Sequence, residues 1–176
     1  MYPGFNVSRD DNEPFHVLMD PTCFEPYEWE PPPATLEVTL NELRRLYRDM
    51  IEIRRMETAT YSLYEARKVR GFCHLSIGQE AIAAGIENAI SKSDKMITAY
   101  HCHGNVFLRG AKTSSIVGEV LGRSTELDHA KGGSVHMSVR GKFIGGNGIV
   151  GAQVPIGAGI AFADNYRGSK NLTVTM

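Results

Sequence analysis

Four short groups of residues in this chain of 176 residues have types and spacings that could carry chemistry. Gly146-Asn147-Gly148-Ile149-Val150-Gly151 satisfies GxGxxG. That dinucleotide fingerprint needs a strand before it, a helix opening on it and an acidic residue ~20 positions on. Here the helical signal starts only near Pro155, and no Asp or Glu lies between Asn165 and Met176, so a nicotinamide or flavin site is not indicated. His101-Cys102-His103 offers three zinc-ligand types, but adjacent residues rarely converge on one ion and no second pair stands at a useful spacing. A polar, partly buried strand end is the better reading there. Lys131-Gly132-Gly133-Ser134 could cradle a phosphate, yet GxxxxGK[ST] is missing and a surface loop with one solvated lysine explains it equally well. His74, just ahead of a helix, could serve as an acid–base group or be a satisfied structural histidine.

Half of the 18 glycines fall between Lys131 and Gly159. Glycine loses more backbone entropy on folding than any other residue, so this density implies a backbone that must approach something closely. A phosphate near a helix N-terminus is the usual partner.

The elements that must position these groups follow from periodicity. Residues 1–38 are polar and proline-rich, with Pro31-Pro32-Pro33 near their end, and read as an extended arm that wraps a surface or stays mobile. Thr39 and Glu42 form a capping box opening an apolar-periodic run through Leu40, Leu43, Leu46, Met50, Ile53 and Met56. A long amphipathic helix over about 40–67 follows, stopped by Gly71. Ser76 and Gln79 repeat the capping pattern ahead of a second helix, AIAAGIENAI. KMITAY (95–100) reads as a buried strand, Ser114–Leu121 as a helix ended by Gly122, and a further helix opens near Pro155 and ends at Gly168. LTVTM alternates as a strand. Helices alternating with strands predict an α/β fold with a mostly parallel sheet flanked by helices, in a domain covering 39–176.

Composition is ordinary for a globular protein, and a formal charge of −1 gives no electrostatic argument for nucleic acid or an acidic membrane. No apolar run approaches the ~18 residues a spanning helix requires. Cys23, Cys73 and Cys102 form no CxxC pair and are odd in number, which favours a reducing compartment. The N-terminal residues carry neither the apolar core of a signal peptide nor the Arg/Ser-rich character of a transit peptide.

Taken jointly and in order, RGFCHLSIGQEA (70–81), ITAYHCHG (97–104), KGGSVHM (131–137) and GGNGIVGAQVPIGAGIA (145–161) resemble the alpha subunits of pyruvate dehydrogenases over about residues 40–176. The RGFCHL and GGNGIVGAQVP segments resemble the pyruvate enzymes more than their branched-chain 2-oxoacid relatives. The resemblance implies a thiamin-diphosphate-binding fold and an alpha2-beta2 heterotetramer. Thiamin diphosphate and magnesium would be held between alpha and beta, and beta would supply the glutamate that activates the aminopyrimidine. It implies oxidative decarboxylation of pyruvate, acetyl transfer to a lipoyl group on an acetyltransferase component, and a mitochondrial matrix address. By the same pattern Tyr100 and His101 contact the diphosphate. Val139 belongs to the cofactor-binding set, and Gly148 and Val150 flank the aminopyrimidine. His74 orients or protonates the bound oxoacid.

Two departures from the family pattern stand out. The family has arginine after the tyrosine where this chain has His101. Arginine is a permanent cation, and imidazole is a weaker partner that is mostly neutral at pH 7. Losing one charge-assisted hydrogen bond costs about 1.5–3 kcal/mol, ten- to a hundredfold in affinity. The family's magnesium motif, Gly-Asp-Gly with a later asparagine, is expected beyond Met176, because a hard dication needs such oxygen ligands and these residues offer no substitute. The expectation is therefore a chain cut short of the metal motif and inactive alone. The alternative is a non-catalytic interaction module that binds beta or full-length alpha.

Overall fold

The computed structural model describes residues 10–20, 22, 25–124 and 127–176, so Cys23 and the start of the expected arm lie outside the described residues. The chain divides into two compact units, residues 1–48 and 49–176.

In the first unit, β1 (Phe15–Leu18) pairs antiparallel with β2 (Thr35–Val38), Phe15 opposite Val38 and Leu18 opposite Thr35. This part of the expected extended arm is thus hydrogen-bonded strand. The helix α1 (Leu40–Glu65) begins where the capping box places it. The Thr39 N–H donates to Glu42 Oε2 at 2.8 Å and the Glu42 N–H donates to Thr39 Oγ1 at 3.2 Å, so each residue satisfies an orphan donor of the other. Arg44 pairs with Asp11 in the same unit.

The second unit holds the rest of α1, whose buried residues Ile53, Met56, Glu57 and Thr60 keep the three-and-four spacing of one helix face. It continues with α2 (Glu80–Ala89), β3 (Lys95–Ile97), α3 (His103–Leu108), α4 (Thr113–Val120), β4 (Phe143–Gly145), α5 (Gln153–Tyr166) and β5 (Thr173–Thr175). The sheet order is β4-β3-β5, with β3 parallel to both neighbours. The parallel α/β expectation holds, and the central strand is buried, with Met96 at 0% and Ile97 at 4% exposure. Around them pack Met56, Val106, Ile116, Val120, Met137 and Phe143.

Two elements, α3 and β4, were invisible to periodicity because six and three residues are too few to show it. The second capping box does not form. α2 starts at Glu80 without a side-chain cap, because Ser76 gives its hydroxyl to the buried Glu57 carboxylate at 2.8 Å. In α5 the side nearest the sheet is glycine by necessity. A Cβ on Gly157 would lie 2.0 Å from Thr175 Oγ1 and 3.2 Å from Thr175 Cβ. The Lys95 ammonium reaches Asp164 at 2.5 Å and ties α5 to β3.

Candidate cofactor site

In open parallel sheets, ligands gather beyond the carboxyl ends of the strands, where successive loops and helix starts converge. Here β3 and β4 end side by side, with the Thr98 N–H donating to Gly145 O at 3.2 Å. Tyr100 and His101 follow β3, and the Gly146–Gly151 loop follows β4. Both loops therefore leave the same edge of the sheet.

The loops are in close contact. A Cβ on Gly146 would lie 2.0 Å from Val135 O and 2.8 Å from Cys102 Sγ, so only glycine lets the three segments meet there. Cys102 itself is fully buried, and burial pushes its thiol up to about 12. The loop at 128–138 is held from below. Buried Glu119 accepts the N–H groups of Ala130 and Gly132 at 3.1 and 2.9 Å, and Asp128 accepts the Ser138 N–H and hydroxyl at 2.7 and 2.8 Å.

His74 joins this edge from the segment ahead of α2. Its ring centroid lies 4.6 Å from Tyr100, 5.6 Å from His101 and 4.5 Å from Phe72, and Tyr100 and His101 are 4.9 Å apart. His101 is in the left-handed region with φ 61°, and its Nδ1 lies 2.6 Å from Leu75 O. A carbonyl oxygen only accepts, so His101 Nδ1 carries the hydrogen and the ring turns its other nitrogen elsewhere. The His74 pKa is held below the usual imidazole value, first by burial and then by repulsion from His101 and His103. His74 Nδ1 is buried with no hydrogen-bond partner among the described residues.

The six candidate residues fall into three places. His74, Tyr100 and His101 form one ring cluster. Gly148 and Val150 sit on the adjoining loop at the same sheet edge. Val150 is 71% exposed, and a Cβ on Gly148 would make only ordinary contacts, with the His136 ring and Val135 Cγ1, each at 3.7 Å. Val139 stands apart. It pairs with Phe143 at the amino end of β4, packs against the core, and lines a cavity of about 480 Å³ with Lys112, Ser138 and Arg140.

Sequence reading passed over Glu57, and weighed His103 and Ser134 only as a metal ligand and as part of a phosphate loop; all three are buried. Glu57 could have been found, since it shares the α1 stripe with Ile53 and Thr60. His103 turns inward to Glu57 and does not join His101 and Cys102 around an ion. Among the described residues no group of three His, Cys, Asp or Glu side chains could hold a metal ion.

The model of the dehydrogenase E1 component family matches residues 48–176. The chain belongs to that family. The E1 chain is 52% identical over 170 residues to the mitochondrial pyruvate dehydrogenase E1 component subunit alpha of Chaetomium thermophilum, covering 97% of this chain and 41% of that one. It is 52% identical over 161 residues to the Schizosaccharomyces pombe subunit (92% and 39%) and 48% identical over 167 residues to that of Saccharomyces cerevisiae (95% and 40%). The E1 chain therefore spans about two-fifths of the length of these relatives.

Thiamin diphosphate, the cofactor this family implies, fits part of what the edge offers. The orphaned His74 Nδ1 and the tilted Phe72, His74 and Tyr100 rings make a wall with one unsatisfied polar atom. For magnesium, the described residues offer no cluster of three His, Cys, Asp or Glu side chains.

Proposed function

We propose that this E1 chain contributes the alpha-side half of a thiamin diphosphate site in a mitochondrial pyruvate dehydrogenase, working with a beta subunit on pyruvate and passing an acetyl unit to a lipoyl group. The observation that carries this is the convergence of the His74–Tyr100–His101 cluster with the Gly146–Gly151 loop at one carboxyl edge of β3 and β4. When bound, thiamin diphosphate supplies the nucleophilic carbon and the electron sink.

The chain's own residues supply geometry and proton placement. Tyr100 offers a phenolic O–H to the diphosphate, and His101 offers the ring nitrogen not committed to Leu75. Gly148 and Val150 present backbone to the aminopyrimidine, and the exposed Val150 side chain is free to contact it. His74, kept neutral by its burial, holds one proton and one lone pair beside Tyr100 and so can orient the oxoacid or exchange a proton with it. Magnesium would complete the diphosphate site through oxygen ligands from outside the described residues.

Pyruvate-dependent reduction of an artificial electron acceptor tests this. A full-length relative carrying Ala at the position equivalent to His74, mixed with its beta subunit, should lose at least a hundredfold in kcat. Thiamin diphosphate binding unaffected by substitution of both Tyr100 and His101 would overturn the cofactor assignment.

A second reading has one observation in its favour. α5 leaves Val154, Phe162 and Tyr166 exposed at 59%, 72% and 84%. Such a face suits a chain that binds beta without catalysing. Co-elution with beta, unaltered by Phe162→Ser, would count against this use of α5.

A further inference from the structure

Behind His74 lies a buried polar chain with no place in the site described so far. Glu57 and His103 are both fully buried, and His103 Nδ1 lies 2.9 Å from Glu57 Oε2. The other carboxylate oxygen of Glu57 accepts the Ser76 N–H at 3.2 Å and the Ser76 hydroxyl at 2.8 Å. On its far side, His103 Nε2 lies 2.9 Å from the backbone carbonyl oxygen of Ser134 and 3.3 Å from the Ser134 hydroxyl. That hydroxyl in turn accepts the His74 N–H at 3.0 Å and points its own hydrogen towards Cys73 Sγ at 3.8 Å.

With Glu57 ionised, the donor count points to a second ring proton on His103. A carbonyl oxygen has only lone pairs, and so does an ionised carboxylate. A neutral imidazole has one N–H, so it would set a lone pair against one of these two acceptors at 2.9 Å. A buried, lone-pair-to-lone-pair contact forfeits a hydrogen bond and adds repulsion, whereas a ring protonated on both nitrogens satisfies both sides. A buried charge requires a close opposite charge with its remaining lone pairs satisfied, and Glu57 with Ser76 meets that condition.

We propose that His103 is a buried imidazolium, ion-paired to Glu57, and that it is a positioning residue. By fixing the Ser134 carbonyl and hydroxyl it holds the Cys73–His74 backbone, and so sets where the His74 ring stands. The titratable groups facing His74 are His101 in the ring cluster and His103 beneath it. The inference depends on the proposed cofactor site only for the importance of His74; its tests use the chain without cofactor or partner, so either can fail alone.

Long-range proton–nitrogen correlation spectra of the ¹⁵N-labelled chain at pH 8, where a free imidazole of pKa ~6.5 is almost wholly neutral, should show both His103 ring nitrogens as protonated. The signal is assigned by its loss in His103→Gln. A lone-pair type shift at either nitrogen overturns the proposal. At Nε2 it would mean that Ser134 donates its hydroxyl to the ring. Positioning is read by hydrogen exchange. In Glu57→Gln the His103 ring should become neutral and the His74 amide should exchange about tenfold faster, with the Met96 amide in β3 unchanged. An equal rise at both amides would mean general loss of stability and would overturn the positioning role. Should Glu57→Gln not fold, Ser134→Ala serves in its place. It should free the His74 amide while His103 stays doubly protonated, and a His74 amide as protected as before would overturn the role.

Discussion

Two neighbouring glycines should respond to the same substitution in opposite ways. At Gly146 an added methyl would sit 2.0 Å from Val135 O, 3.2 Å from Val135 C and 2.8 Å from Cys102 Sγ. Carbon and carbonyl oxygen in contact need about 3.2 Å or more, so the 131–137 backbone would have to retreat by over ~1 Å. That segment is held by Glu119 and Asp128, and Cys102 is fully buried, so neither side yields cheaply. Overpacking of this kind costs about 1–3 kcal/mol and more where backbone must move. For a unit of this size, about 3 kcal/mol lowers Tm by roughly 10 °C. At Gly148 the nearest atoms to the added methyl are His136 Nε2 and Val135 Cγ1, both at 3.7 Å, ordinary contacts. Gly148→Ala should therefore leave Tm within about 3 °C, or raise it slightly through the stiffer unfolded chain. Thermal denaturation followed by circular dichroism compares the two directly. A Gly146→Ala protein that melts with the wild type would refute the close approach of the loops. If Gly148→Ala melted as early as Gly146→Ala, the open space at that turn would be refuted instead.

Three further outcomes are expected. The Arg54 side chain holds the Glu80 carboxyl down to about 2, against a usual 4.5. A depressed carboxyl contributes stability above its unfolded pKa and loses it as pH falls through the folded one. Glu80→Gln should thus cost about 1 kcal/mol at pH 7, discounted because Arg54 is half exposed. The gap from wild type should close between pH 4.5 and pH 2, and urea melts that keep a constant gap would contradict it. Cys102, with its thiol raised to about 12 and 0% exposure, should resist alkylation at pH 8 in the native chain and react on unfolding. Site-resolved mass spectrometry reads this, and rapid native labelling would show that the segment opens. His101→Arg would restore a permanent cation at the edge, and should tighten thiamin diphosphate binding about ten- to a hundredfold in the complex with beta. Calorimetric titration giving unchanged or weaker binding would mean that the Leu75 contact of His101 matters more than charge.

Local signals located what local physics controls. The Thr39–Glu42 box begins α1 because both bonds of the box lie within four residues. Gly122 and Gly168, at φ 68° and 74°, end their helices where the backbone must turn left-handed. α3 and β4 escaped because a six-residue helix and a three-residue strand carry too little pattern, and β4 sits inside the glycine run. Ser76 misled because a capping serine and a serine that satisfies a buried carboxylate look alike until the distant partner is known. Likewise Glu57, on a helix of charged residues, would be taken for a solvated group, yet it is completely buried.

By itself the sequence determined the α/β class, the long first helix and the family to which the chain belongs, since these rest on periodicity, turn chemistry and the order of short motifs. It also located His74, Tyr100 and the glycine loop, and the family resemblance implied one shared site without showing the geometry that brings them together. Only the tertiary structure decided that, because the parallel pairing of β3 with β4 is a non-local choice that brings residues some fifty positions apart to one edge. It also decided that His103 faces Glu57 and not a metal. A side chain's protonation and role depend on which lone pairs surround it, and those come from α1, the α2 approach and the Ser134 loop together.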